Sequence, residues 1–236
     1  MKKVFALMLV LTLLAGGAYA QKKNTKVPPS AATKTTKDLS VQSVKMHDAR
    51  RLPPPGVGME ASLKEVLNNR KTIRQIRPEE FPPELLSSLL WSAYGFNRPS
   101  EQRRVVPSAV NAQEFDIYVF NREGVYLYNA LENVLEMVVE GDHRAEISKQ
   151  PHFIEAPVSL VLVANYDRMK MFKEESVRDF YAAVDCGYIS QDIYLFCASA
   201  KLATVACGAI NNDTIHKILG IKNGRAMLAH PVGFGR

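Results

Sequence analysis

The sequence predicts an α+β domain, and three features carry that expectation. Helical and strand periodicities alternate irregularly along the chain. Val158 to Ala164 is almost wholly apolar, as expected of a central strand buried on both faces. From about Val177 to Ala200, apolar residues recur at spacings of three and four with few charges, which predicts a long central helix.

The elements follow in order. Lys2 and Lys3, the apolar run Val4 to Leu14 and the small-x-small exit Ala18-Tyr19-Ala20 have the order of a secretory signal peptide. Cleavage is expected after Ala20, and the run is shorter than the ~20 residues of a membrane span. No stable span is therefore expected after cleavage, and no Cys follows to accept a lipoprotein anchor. Localisation is expected to be exported, in the periplasm. Residues 21–57 are rich in Lys, Thr, Ser and Pro and read as a flexible tether, closed by Leu52-Pro-Pro-Pro-Gly-Val-Gly58. The domain is expected over residues 58–236.

Within it, Ser62 caps a helix to about Asn69, with Glu65 at the capping-box position. Pro82-Pro83 begins a second, whose Leu85, Leu86, Leu89, Leu90 and Ala93 share a face, and Gly95 ends it. Phe115 to Phe120 and Val125 to Tyr128 read as strands joined by the turn Asn121 to Gly124. Ala203 to Ala206 is a short strand, Asn212 or Asp213 caps a helix stopped by Gly220, and Arg225 to Ala229 is a last strand. Pro231 to Arg236 reads as an irregular tail.

Charge narrows the function. The chain of 236 residues carries +6, but residues 1–51 hold ten Lys or Arg against two Asp, and residues 52–236 hold twenty against twenty-two acids. The domain lacks the basic footprint that binding a phosphate backbone requires, so no nucleic-acid partner is expected. Cys186, Cys197 and Cys207 show no metal or redox-pair spacing. Cys186 and Cys197 would lie about 16 Å apart along one helix, too far to bridge, and all three read as small buried residues. His47 falls in the tether, His143 and His152 in loops, His216 on the short helix and His230 at a strand end. No metal set and no catalytic triad is expected.

Three segments carry chemistry. Arg70-Lys71-Thr72-Ile73-Arg74, at a helix end, sets three cations and a hydroxyl within five residues. Arg offers a planar fork for phosphate and Lys a compact charge, although such a run also suits a solvated helix end. Pro107-Ser108-Ala109-Val110-Asn111-Ala112-Gln113 offers small residues for close approach and amides for a heterocycle edge, or forms a plain polar turn. Lys201 to Ile210, with Cys207, Gly208 and Ala209, exposes backbone N–H groups to a ligand or simply joins strand to helix.

The order of these segments resembles the nitroreductase superfamily over roughly residues 60–235. Arg70 to Arg74 resembles its Arg-Arg/His-Ser/Thr-x-Arg/Lys helix end, and residues 107–113 match Pro-Ser-x-x-Asn-x-Gln. Lys201 to Ile221 is similar to its Gly-Leu-x-Thr-x-x-x-Gly segment and following helix, with Lys201 in place of the first Gly. Val232-Gly-Phe-Gly235 approaches its closing Gly-Tyr-Pro without the Pro. Trp91 to Gly95 and Gly124 to Tyr128 resemble the azoline-oxidising, SagB-type branch.

The resemblance implies a nitroreductase-like fold: a central, mainly antiparallel sheet flanked by helices, in a homodimer whose interface includes the long apolar helix. It implies FMN as cofactor. Arg70 would hold its phosphate, with Lys71 and Thr72 beside the phosphate and ribityl chain and Arg74 near the N1/O2 edge. Asn111, assisted by Ser108 and Pro107, would reach the cofactor across the subunit boundary. Backbone N–H groups from Cys207 to Ala209 would face N5 and O4, and Arg236 would be a second phosphate contact. The partners implied are a small-molecule electron donor and an electron-poor acceptor, exchanging electrons through the flavin in two half-reactions. Export puts NAD(P)H out of easy reach, which points to a membrane or protein donor. Two alternatives stay open: a flavin- or heterocycle-binding protein without turnover, and an azoline dehydrogenase, whose peptide partners an exported chain would not meet.

Overall fold

The computed structural model describes residues 49–236, so the expected leader and most of the tether lie outside the described residues. Seven strands make one sheet in the order β1-β6-β5-β4-β7-β9-β8, and every neighbouring pair runs antiparallel. They are β1 (Ala49–Arg51), β4 (Phe115–Phe120), β5 (Gly124–Asn129), β6 (Val134–Glu140), β7 (Val158–Asn165), β8 (Leu202–Thr204) and β9 (Gly224–Phe234). A separate two-stranded sheet joins β2 (Phe96–Arg98) to β3 (Arg103–Arg104).

Strand β7 shows why helices cover both faces. Its side chains alternate, and nearly all are buried because neither face meets water. Leu160, Leu162 and Ala164 enter one core with residues of α2 (Pro83–Tyr94) and α5 (Glu175–Ser199). Val161 and Val163 enter a second with Ile147 of α3 (Arg144–Ile147), Phe153 of α4 (Pro151–Glu155) and Ile215 of α6 (Asn212–Leu219). Helix α5 has 25 residues and is about 37 Å long. It buries Ala182, Cys186, Ile189, Ile193, Phe196 and Cys197 against the sheet.

Local signals position the ends. The Ser62 hydroxyl accepts the Glu65 N–H at 3.3 Å to cap α1 (Leu63–Asn69), and Asn211 caps α6 through the Thr214 N–H. Gly220 closes α6 at φ +64, in the left-handed region that favours glycine.

The structure corrects several expectations. The tail Pro231 to Arg236 is not irregular, because β9 continues to Phe234 between β7 and β8. Pro231 lies opposite an opening in β8's pairing, between Thr204↔Val232 and Cys207↔Ala229, where a ladder donor is not called for. Ala49–Arg51, placed in the tether, pair with β6 along the sheet edge. His152 sits on α4 rather than in a loop. His230 lies inside β9, fully buried, with Nε2 2.9 Å from the Ser190 hydroxyl and Nδ1 3.2 Å from that of Thr204. Burial holds its imidazole neutral, down to about 3. Among the described residues no helix is long and apolar enough to cross a membrane, and no metal-ligating cluster occurs. The three cysteines are free and buried.

Candidate functional site

The first and third sequence segments meet in one chain. After α1 ends at Asn69, the Ile73 N–H donates to the Thr204 carbonyl at 2.9 Å. Ile76 then bridges Gly235, and the Arg77 N–H donates to the Phe234 carbonyl. Residues 73–77 thus run along the ends of β8 and β9, which carries Arg70 to Arg74 beside Thr204 to Ala209.

Tyr194 of α5, which sequence reasoning missed, fastens the two. Its hydroxyl accepts the Ala206 N–H at 2.9 Å, which leaves its own proton for Thr72 Oγ1 at 3.0 Å. The Arg70 guanidinium lies over its ring, 5.4 Å from the centroid. Arg70, Lys71 and Arg74 form no salt bridge among the described residues. Arg236 is paired with Glu155 at 3.1 Å, and its N–H donates to the Gln75 carbonyl.

The loop after β8 is held from both sides. Cys207 exchanges two 2.9 Å backbone bonds with Ala229, and the Ser148 hydroxyl donates to the Ala209 carbonyl at 3.0 Å. The Asn211 N–H donates to the Ile147 carbonyl. Between these anchors, the N–H groups of exposed Gly208 and Ala209 donate to nothing among the described residues. Buried His152 puts Nε2 3.5 Å from the Cys207 sulfur. Burial pushes the thiol's pKa up, against the pull of Arg74, while burial and then Arg74 push the imidazole's down. The pair is therefore neutral, with Arg74 acting on both groups and Glu155 on the imidazole.

The second segment is built differently. The Asn111 N–H donates to the Ser108 carbonyl and the Gln113 N–H to the Ser108 hydroxyl, both at 3.0 Å, forming the tight turn Ala109–Asn111. Val110, Asn111 and Gln113 have φ of +50, +58 and +49. Left-handed conformations at non-glycine residues, one of them β-branched, are strain of the kind that collects at functional sites. Asp185 of α5 accepts the Ala109 N–H at 2.8 Å, and Gln113 holds Asn111 Oδ1 at 3.2 Å. Asp185 and Glu114, both buried, are a further pair that sequence reasoning missed. Asp185 and Tyr194 are nine residues apart on α5, about 14 Å along its axis. One chain therefore joins Arg70, Lys71, Thr72 and Arg74 to Cys207, Gly208 and Ala209, while the turn of Pro107, Ser108 and Asn111 is anchored at a different point of α5.

Comparison with known proteins bears on the family and the fold. A relative from Methanocaldococcus jannaschii, named for nitroreductase activity, is 30% identical over 201 residues, 80% of this chain and 98% of its own. A crystal structure from Ralstonia eutropha JMP134, also described as a nitroreductase, is 29% identical with a TM-score of 0.74, covering 80% of this chain and 90% of that one. A chain of the Escherichia coli microcin synthetase complex shares the fold at 15% identity, with a TM-score of 0.61 over 90% of this chain and 79% of its own. The nitroreductase family model matches residues 67–234, so with the antiparallel sheet and the order of the site segments this chain belongs to the nitroreductase family, an oxidoreductase type.

Proposed function

We propose that the protein is an exported FMN-dependent oxidoreductase that works as a homodimer on small electron-poor molecules. The observation that carries the reading is the convergence of unpaired cations and free N–H groups. Among the described residues, Arg70, Lys71 and Arg74 lack carboxylate partners, and beside them the N–H groups of Gly208 and Ala209 donate to nothing. Such a donor set suits a phosphorylated, flat, electron-accepting ring.

When bound, the flavin supplies a two-electron carrier between a donor and an acceptor. This chain's residues do the rest. Arg70 and Lys71 neutralise the phosphate, Thr72 holds the ribityl chain, and Arg74 sets positive charge where negative charge accumulates on reduction. The loop N–H groups orient the ring edge. The His152–Cys207 pair is neutral and adds no charge of its own beside Arg74.

The second subunit is invoked because the turn carrying Ser108 and Asn111 is anchored at Asp185, and Arg70 and Thr72 at Tyr194, nine residues further along α5. Helix α5 exposes Phe180 (63%), Val184 (37%) and Tyr188 (44%), four residues apart on one face, an apolar row suited to a second copy. Periplasmic export rests on the leader alone. The likeness to the microcin synthetase chain concerns fold and gives azoline oxidation no added support.

The test is spectroscopic. The purified full-length chain should carry flavin absorbance that dithionite bleaches, and Arg70→Ala/Arg74→Ala should weaken FMN binding at least tenfold in a fluorescence-quenching titration. A colourless wild-type chain that takes up no added FMN would remove the proposal.

A further inference from the structure

The small sheet β2–β3 carries charge that no salt bridge among the described residues balances. Its register places Arg98 directly opposite Arg103. Like charges in opposed positions weaken an antiparallel pair, so the arrangement costs stability in the free protein. Neither arginine forms a salt bridge among the described residues, and Glu101, at the tip turn Pro99–Glu101, forms none either.

Arg104, next to Arg103, is more constrained. Its guanidinium is wedged between the rings of Tyr94 and Phe96, 4.0 and 4.2 Å from their centroids. Nε donates to Gln113 Oε1 at 2.9 Å and Nη1 to the Tyr94 carbonyl at 2.6 Å. Both acceptors are neutral, and burial lowers the pKa of the guanidinium. Asp116, the carboxylate that acts on it, is already paired with Arg168 at 2.7 Å, so this partly buried cation is under-compensated. All three arginines line one cavity of about 560 Å³, together with Ser108 and Asn111, and no Asp or Glu lines it.

We propose that this cavity is a subsite for the anionic group, phosphate or carboxylate, of the small molecule that exchanges electrons with the protein. The proposal rests on the flavin reading above, because Ser108 and Asn111, which that reading sets against the cofactor, share the cavity's wall with the arginines. An anion there relieves the Arg98–Arg103 repulsion and gives Arg104 a negative charge that it need not share with Arg168. Arg98 and Arg103 bind directly, and Gln113, bonded to both Arg104 and Asn111, ties the subsite to the cofactor-facing turn.

Two measurements separate failure of this inference from failure of the flavin reading. In the flavin-free chain labelled at arginine nitrogen, titration with benzoate and with inorganic phosphate should shift the Nε–H signals of Arg98, Arg103 and Arg104 saturably. If neither anion moves them while phosphate moves Arg70 and Arg74, the subsite is refuted and the cofactor cradle stands. In the flavin-loaded chain, kcat/KM is compared for 4-nitrobenzoate against nitrobenzene and for NADPH against NADH. Arg98→Gln/Arg103→Gln should lower the preference for the charged member at least tenfold in one pair. A loss in the first pair identifies a carboxylated acceptor, and a loss in the second a phosphorylated donor. Ratios unchanged in both pairs overturn the proposal.

Discussion

Glu114→Gln should change how stability depends on pH. Glu114 immediately precedes β4 and is fully buried. Its carboxyl lies beside that of Asp185, with Tyr94, Cys186 and Arg168 as the other titratable groups near it. Burial first, and then the Asp185 charge, outweigh a bond from its own backbone N–H and the pull of Arg168, raising its pKa to about 7. In the unfolded chain it ionises in the ordinary carboxylate range. Between those two values the unfolded state has released a proton that the folded state keeps, so stability falls as pH rises. The slope is about 1.4 kcal/mol per pH unit, and across the window from roughly 4.5 to about 7 the loss reaches ~3 kcal/mol before levelling off. Glutamine keeps the shape and carries no charge at any pH. Urea unfolding of the flavin-free chain between pH 4.5 and 8 should show wild type losing stability relative to the variant, which should be the more stable at pH 8. Parallel stability profiles across the window would refute the reasoning.

Two further outcomes follow from contacts around the site. Tyr194→Phe keeps the ring under Arg70 but deletes the hydroxyl that joins Thr72 to the Ala206 N–H. Stability should drop by about 1–3 kcal/mol in urea unfolding and the FMN dissociation constant should rise roughly tenfold; an unchanged constant would show that the tyrosine does not set the cradle. At Gly233 an added Cβ would lie 2.7 Å from both Ile76 Cγ2 and Pro157 Cδ, so Gly233→Ala must push residues 73–77 away from β9. A loss of about 1–3 kcal/mol in thermal or urea unfolding, with weaker FMN binding, is expected, and wild-type stability would contradict the packing drawn here.

What the sequence disclosed, and what it concealed, follows the reach of each interaction. Helices α1, α2 and α6 were legible because Ser62, Pro82-Pro83 and Gly220 act on backbone groups within a few residues, and α5 and β7 because burial imprints a period on the chain. Strand β9 was truncated in the reading because Pro231 forbids a ladder donor, and only the gap in β8's pairing makes that harmless. The same division runs through the site. Arg70 to Arg74, Ser108, Asn111 and Cys207 to Ala209 announce themselves by residue type and order. Tyr194 reaches Thr72 across 122 residues and Asp185 reaches Ala109 across 76, and no local pattern marks either. Yet these two decide the architecture: about 14 Å apart along one helix, they fix the Arg70–Arg74 segment at one station and the Asn111 turn at another. In the proposed homodimer, a turn contributed by another copy and the apolar row on α5 would belong to the same interface.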